Sequence, residues 1–139
     1  MDVPDGADEA SALNLRVVRA HYEAFARGDT GAIVAGLDPQ VTIIVHDEHG
    51  KPASEPLQGV EAARSFFDDI NAAISDPTVE VDRLRADGNR VLAHLRLGGT
   101  VRETGATGDI PAVHLFAVHG GLITEIRTHR PDWRNYQPG

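Results

Sequence analysis

The stretch IPAVHLFAVHGGLITEIRTHR, Ile110 to Arg130, constrains this chain more than any other. Two apolar runs flank Gly120-Gly121, and paired glycines between such runs signal a hairpin, because the tight turn requires positive φ at both central positions. In the first run Ala112, His114, Phe116 and Val118 alternate with Val113, Leu115 and Ala117. Strand side chains point to opposite faces in turn, so both faces of this strand are apolar and both must be covered. One cover is the chain's own core. In a chain this short the other is a second subunit, so a homodimer through the outer sheet face is expected. His114, an ionisable ring among aliphatics, is the odd residue, and through it the hairpin bears on function.

With 139 residues the chain fits one domain with one core and a small pocket, and has no room for a separate cofactor domain. A net charge of -8 argues against nucleic acid and against an anionic membrane surface, since both reward clustered Lys and Arg. The absence of cysteine excludes disulfides, zinc-thiolate sites and thiol catalysis. No apolar run approaches the ~18 residues of a membrane span. The opening MDVPDGADEA, residues 1–10, reads as a disordered acidic leader without targeting character, which leaves residues 11–139 as the domain and the cytoplasm as the expected compartment.

From Ser11 to Arg27, Leu15, Val18, Tyr22 and Phe25 recur at three- and four-residue spacing, one face of an amphipathic helix flanked by Val17, His21 and Ala24. Gly28-Asp29 stops it, and Asp29 or Thr30 can cap a short helix from Gly31 to Leu37 that ends at Asp38-Pro39. Val41 to Val45 is a β-branched strand. The polar segment His46 to Pro56 turns at Gly50 and Pro52. A second long helix, Val60 to Ser75, carries Ala63, Phe66, Phe67, Ile70 and Ile74 at helical spacing and breaks at Asp76-Pro77. Val79 to Arg85 and Arg90 to Leu97 alternate as strands around Asp87-Gly88, with His94 and Arg96 on the face opposite Val91, Ala93 and Leu95. Gly98 to Gly108 reads as a connection, partly paired as strand extensions. Strands gathered after helices indicate an α+β fold, with the N-terminal and central helices packed on one face of a bent, mostly antiparallel sheet.

These landmarks, Val17-Val18 to Gly28-Asp29, Gly59 with Phe66-Phe67, and HLFAVHGGLITEIR, resemble the SnoaL-like polyketide cyclase and ketosteroid isomerase superfamily across Leu15 to Asp132. The resemblance implies a cone-shaped fold, also called nuclear transport factor 2-like, with helices on the concave face of the sheet. It also implies a single SnoaL-like domain that binds an apolar ligand without cofactor. In isomerase-like members a carboxylate base, a helix Tyr and a protonated Asp act on an enolate. By residue matching, those positions fall here near Val45, at His21 and at His114. Cyclases and limonene-type epoxide hydrolases keep an Asp two residues beyond the position of Ile126, where this chain has Thr128. The ending HRPDWRNY is similar to scytalone dehydratase-like proteins, whose first-helix Tyr and Asp pattern is replaced by Phe25 and Ala26.

The expected site follows. His114 is a hydrogen-bond donor or acid/base group, since an imidazole exchanges protons near neutral pH. His21 reaches the same cavity, where two imidazoles in an apolar pocket stay neutral. Asp47 is the candidate base, swung inward by a bulge. Tyr22, Val45, Phe66, Phe67, Phe116, Thr128 and Trp133 form the substrate wall. The run His46-Asp47-Glu48-His49 is metal-like in composition, but neighbours on an extended strand diverge, so no metal site is expected. His94, Arg96, Arg127 and His129 fall on the outer face expected to form the dimer contact. The expected substrate is a carbonyl-bearing polyketide- or terpenoid-like molecule. The alternative is a ligand-binding or dimerisation module of the same fold that catalyses nothing.

Overall fold

The computed structural model describes residues 5–47, 49 and 51–129. Two helices, α1 (Asp5–Ala26) and α2 (Thr30–Ala35), precede strand β1 (Leu37–His46). A short strand β2 (Leu57–Gln58) leads into helix α3 (Gly59–Ala73), and four strands follow: β3 (Ile74–Asp87), β4 (Arg90–Val101), β5 (Thr107–His119) and β6 (Leu122–His129). They form one open, curved six-stranded sheet in the order β2-β1-β6-β5-β4-β3. Every pairing is antiparallel except β1 beside β6. The C-terminal hairpin therefore lies in the middle of the sheet, with its inner face covered by the core.

The expected turn chemistry is present. Gly120 and Gly121 take φ of 58° and 82°, and His119 pairs with Leu122 across them. Gly28, at φ 68°, ends α1 while the Asp29 amide bonds to the Ala24 carbonyl at 3.0 Å. Asp29 then caps α2 by accepting from the Ala32 amide at 3.0 Å. Inward residues of four strands make the core, Val41 and Ile43 on β1, Val91, Ala93 and Leu95 on β4, Phe116 and Val118 on β5, and Ile123 and Ile126 on β6. Val18, Tyr22 and Ala24 of α1 and Ala63 and Phe67 of α3 close over them. Asn14 anchors α1 to the far end of the sheet by donating to the Gly88 carbonyl at 3.0 Å.

Several elements run further than the local sequence indicates. Helix α1 begins at Asp5 rather than Ser11, so the stretch read as a disordered leader is helical from Asp5 onward. Acidic residues are favoured near the positive end of a helix dipole, and Ala7 and Ala10 favour the helix. Strand β3 runs straight through Asp76-Pro77, with Asp76 at φ 51° and a register shift between Ser75 and Thr78. The bulge accommodates the proline's missing donor, so Pro77 interrupts the ladder without ending the strand. Likewise β1 starts at Leu37 and tolerates Pro39 through a register irregularity before Thr42. Gly98 to Gly108 is mostly ladder, since β4 extends to Val101 and β5 begins at Thr107. No described helix is long and apolar enough to cross a membrane.

Candidate functional site

The concave side of the sheet and the two long helices enclose a cavity of about 820 Å³. Helix α3 lines it with Ala62, Ser65, Phe66, Asp69, Ile70 and Ala73, which recur every three or four residues and so share one stripe. Helix α1 adds His21, Tyr22 and Phe25. Opposite them stand Val45 and Leu57 from β1 and β2, Leu97 and Gly98 from β4, His114 from β5, and Ile126 and Thr128 from β6. His114, Thr128 and Val45 sit in register across three neighbouring strands, because His114 pairs with Thr128 and Thr128 with Val45. Their side chains therefore form one row across the sheet.

His114 is 9% exposed, and its Nδ1 lies 2.8 Å from the Tyr22 hydroxyl. The two rings also stack, with centroids 5.8 Å apart at 28°. Burial pushes the Tyr22 hydroxyl far above the ordinary tyrosine value, so it stays protonated. The hydroxyl and Nδ1 thus bond to each other, in the direction that the tautomer of the ring sets. His21, one residue earlier on α1, is buried among rings and meets Phe67, Phe116 and Tyr22 edge-on at centroid distances of 5.7, 5.4 and 5.5 Å. Burial lowers its pKa to about 4, so its ring is neutral near pH 7. Its Nδ1 is buried without a hydrogen-bond partner among the described residues. A buried lone pair is tolerated better than a buried orphan N–H, which assigns the ring proton to Nε2.

The family model for the SnoaL-like domain matches residues 18–126, from the buried Val18 of α1 to the buried Ile126 of β6. The chain belongs to the SnoaL-like family. Solved structures agree on the fold. A protein assigned as a SnoaL-like polyketide cyclase from Jannaschia sp. CCS1 is 19% identical with a TM-score of 0.77, covering 92% of this chain and 89% of its own. A protein assigned as a polyketide cyclase from Xanthomonas campestris pv. campestris is 25% identical with a TM-score of 0.74, covering 88% and 93%. An LEH-like epoxide hydrolase of M. tuberculosis is 18% identical with a TM-score of 0.70, covering 86% and 83%. Comparison with curated proteins finds no match.

Within this SnoaL-like fold the expected site residues separate into those brought together and those left apart. His114, His21, Tyr22, Val45, Phe66, Phe67 and Thr128 all line the cavity. Phe116 does not: it is fully buried beneath the site, edge-on to His21, Tyr22 and His114, and supports their rings without reaching the wall. Asp47, expected as the base, lies beyond the end of β1 and outside the lining. Its Oδ1 accepts from the His49 and Lys51 amides at 2.8 and 3.0 Å, and the Lys51 amide bond chiefly holds its carboxyl below the usual range. The bulge expected to turn it inward is instead a tight turn closed by the Asp47 amide on the Lys51 carbonyl at 2.7 Å. Trp133 falls outside the described residues, and so does the side chain of His129. Among the described residues no three His, Asp or Glu side chains group to hold a metal ion. Sequence reasoning passed over Asp69, although its place three residues after Phe66 puts it on the lining stripe of α3.

Proposed function

We propose that the cavity takes an apolar, carbonyl-bearing small molecule of polyketide- or terpenoid-like character, and that the protein acts on it by acid/base chemistry without a cofactor. The observation that supports this reading is the Tyr22–His114 pair at the cavity wall. An ionisable ring in an apolar hollow, oriented by a second buried polar group, is the arrangement acid/base sites use. The Tyr22 hydroxyl holds Nδ1 of His114, and the direction of that bond sets the tautomer of the ring. With Tyr22 donating to Nδ1, the Nε2–H donates to a ligand carbonyl; with Nδ1–H donating to the Tyr22 oxygen, the Nε2 lone pair takes a proton from the carbon beside that carbonyl and returns it to the enolate that forms. His21 supplies a second neutral donor through Nε2. Because Asp47 is engaged in its own turn, proton acceptance falls to His114.

The second reading is a non-catalytic module that binds the same kind of ligand. It is favoured by one observation: among the described residues the buried polar ones are Asn14, His21, Thr30 and His114, none of them a carboxylate. One experiment separates the two. With 2-tetralone in D2O, catalysis exchanges the α-hydrogens faster than buffer, and His114→Phe returns the rate to that of buffer while the ketone still binds. Exchange undiminished in His114→Phe removes His114 from the chemistry. Binding by the wild-type protein with no exchange leaves the module.

We also propose a homodimer through the outer face of the sheet. Leu92, Val113, Leu115 and Ala117 are partly exposed there, on the side opposite the core, beside His94, Arg96 and Arg127. Sedimentation equilibrium tests this: Leu115→Arg is expected to convert a dimer into a folded monomer, and a wild-type protein that sediments as a monomer refutes it.

A further inference from the structure

Charge within the cavity is one-sided. Among the described residues its lining contains no Lys and no Arg, and its only carboxylate is Asp69. The lining imidazole of His21 is held neutral by burial and supplies no positive charge near pH 7. Asp69 is exposed and stands at the mouth, on the same stripe of α3 as Phe66 and Ile70, which face the hollow. A ligand that seats its apolar body against Phe66 and Ile70 and extends a polar group to the mouth brings that group to Asp69. An anionic end meets a like charge there, with no Lys or Arg among the described lining residues to compensate, and desolvating it uncompensated is costly.

We propose that Asp69 is a specificity-determining residue that selects ligands bearing an amine at the mouth end and rejects matched carboxylates. The proposal rests on the cavity being a small-molecule site, and adds the charge of the molecule. An ammonium gains the carboxylate's attraction at the rim, where solvent screens it to a modest gain, while its aromatic body occupies the hollow.

The test is a titration of the full-length protein with 2-naphthylmethanol, 2-naphthylmethylamine and 2-naphthoate, followed by calorimetry near pH 7. The amine is expected to bind about threefold to fivefold more tightly than the alcohol, and the carboxylate more than about tenfold more weakly. In Asp69→Asn, an isosteric change at an exposed helix position, amine and alcohol are expected to bind equally. A carboxylate that binds as well as the alcohol overturns the proposal, as does an amine advantage that survives in Asp69→Asn. Failure of all three compounds to bind overturns the small-molecule reading itself, an outcome distinct from equal affinities.

Discussion

The Tyr22 hydroxyl and Nδ1 of His114 lie 2.8 Å apart across 92 residues of sequence, joining the C-terminal part of α1 to the middle of β5. Both groups are buried, so neither readily replaces this bond with one to bulk water. Tyr22→Phe removes the hydroxyl and leaves Nδ1 without that bond, which is expected to lower unfolding stability by about 1 to 2 kcal/mol. His114→Phe orphans the hydroxyl in the same way. The double variant is therefore expected to lose less than the two single losses combined, by about 1 kcal/mol. Urea unfolding of the four proteins checks this, and strictly additive losses would mean that the pair is not coupled.

His21 predicts a pH dependence with a definite sign. Its pKa falls from 6.5 in the unfolded chain to about 4 in the fold. Between those values the unfolded chain binds a proton that the fold refuses, so stability is full above about pH 6.5 and is lost as pH drops toward 4. The loss amounts to about 3 kcal/mol. Replacing His21 by Phe deletes this component, so the variant's stability should decline less steeply over the same interval. Chemical unfolding of both proteins from pH 7 to pH 4 measures the difference. Parallel curves would show that His21 is not held neutral by burial.

Periodicity made the strands and the inner faces of the helices legible. The alternation through Ala112, His114, Phe116 and Val118 is repeated as buried positions in β5, and Gly120-Gly121 forms the turn it signals. Both features depend only on neighbours in sequence. The Tyr22–His114 bond does not. Tyr22 reads locally as one more apolar member of a stripe, and only the packing of α1 across the sheet reveals its hydroxyl partner. Asp47 was misplaced for the same reason, since a carboxylate after a strand can as readily cap its own turn as enter a pocket. Pro77 shows the limit in backbone terms: α3 ends at Ala73, just before the Asp76-Pro77 break, while pairing with β4 carries a strand through the proline once a bulge absorbs it.

Gly98 explains how closely β3, β4 and β5 approach at the cavity wall. A Cβ added there would meet Thr78 Oγ1 at 2.5 Å and the Gly108 carbonyl oxygen at 2.9 Å. Gly98→Ala is expected to cost about 1 to 3 kcal/mol through overpacking. Thr78→Ala in the same background removes the closer contact, and so restores part of the loss while the backbone contact remains. Thermal melts of the single and double variants measure both steps. A Gly98→Ala protein as stable as wild type would show that the strands separate at no cost.

Phe116 and Phe66 distinguish support from contact. Phe116 is fully buried and presents its edge or face to His21, Tyr22 and His114 at centroid distances of 5.4, 5.6 and 6.2 Å. Phe66 is half-buried on the cavity wall, 5.1 Å from Phe67. Truncating a buried phenylalanine leaves a void on every side, so Phe116→Ala is expected to lose about 3 to 5 kcal/mol. Phe66→Ala enlarges a hollow that already exists, and its loss should be smaller. Ligand affinity should respond to Phe66→Ala directly, because that ring is part of the wall. Phe116→Leu retains most of the volume but removes the edge-to-face contacts, so it should reach the ligand only through the placement of the two imidazoles. Paired urea unfolding and titration with 2-naphthylmethanol resolve these effects. If Phe66→Ala cost more stability than Phe116→Ala, the roles assigned to the two rings would be reversed.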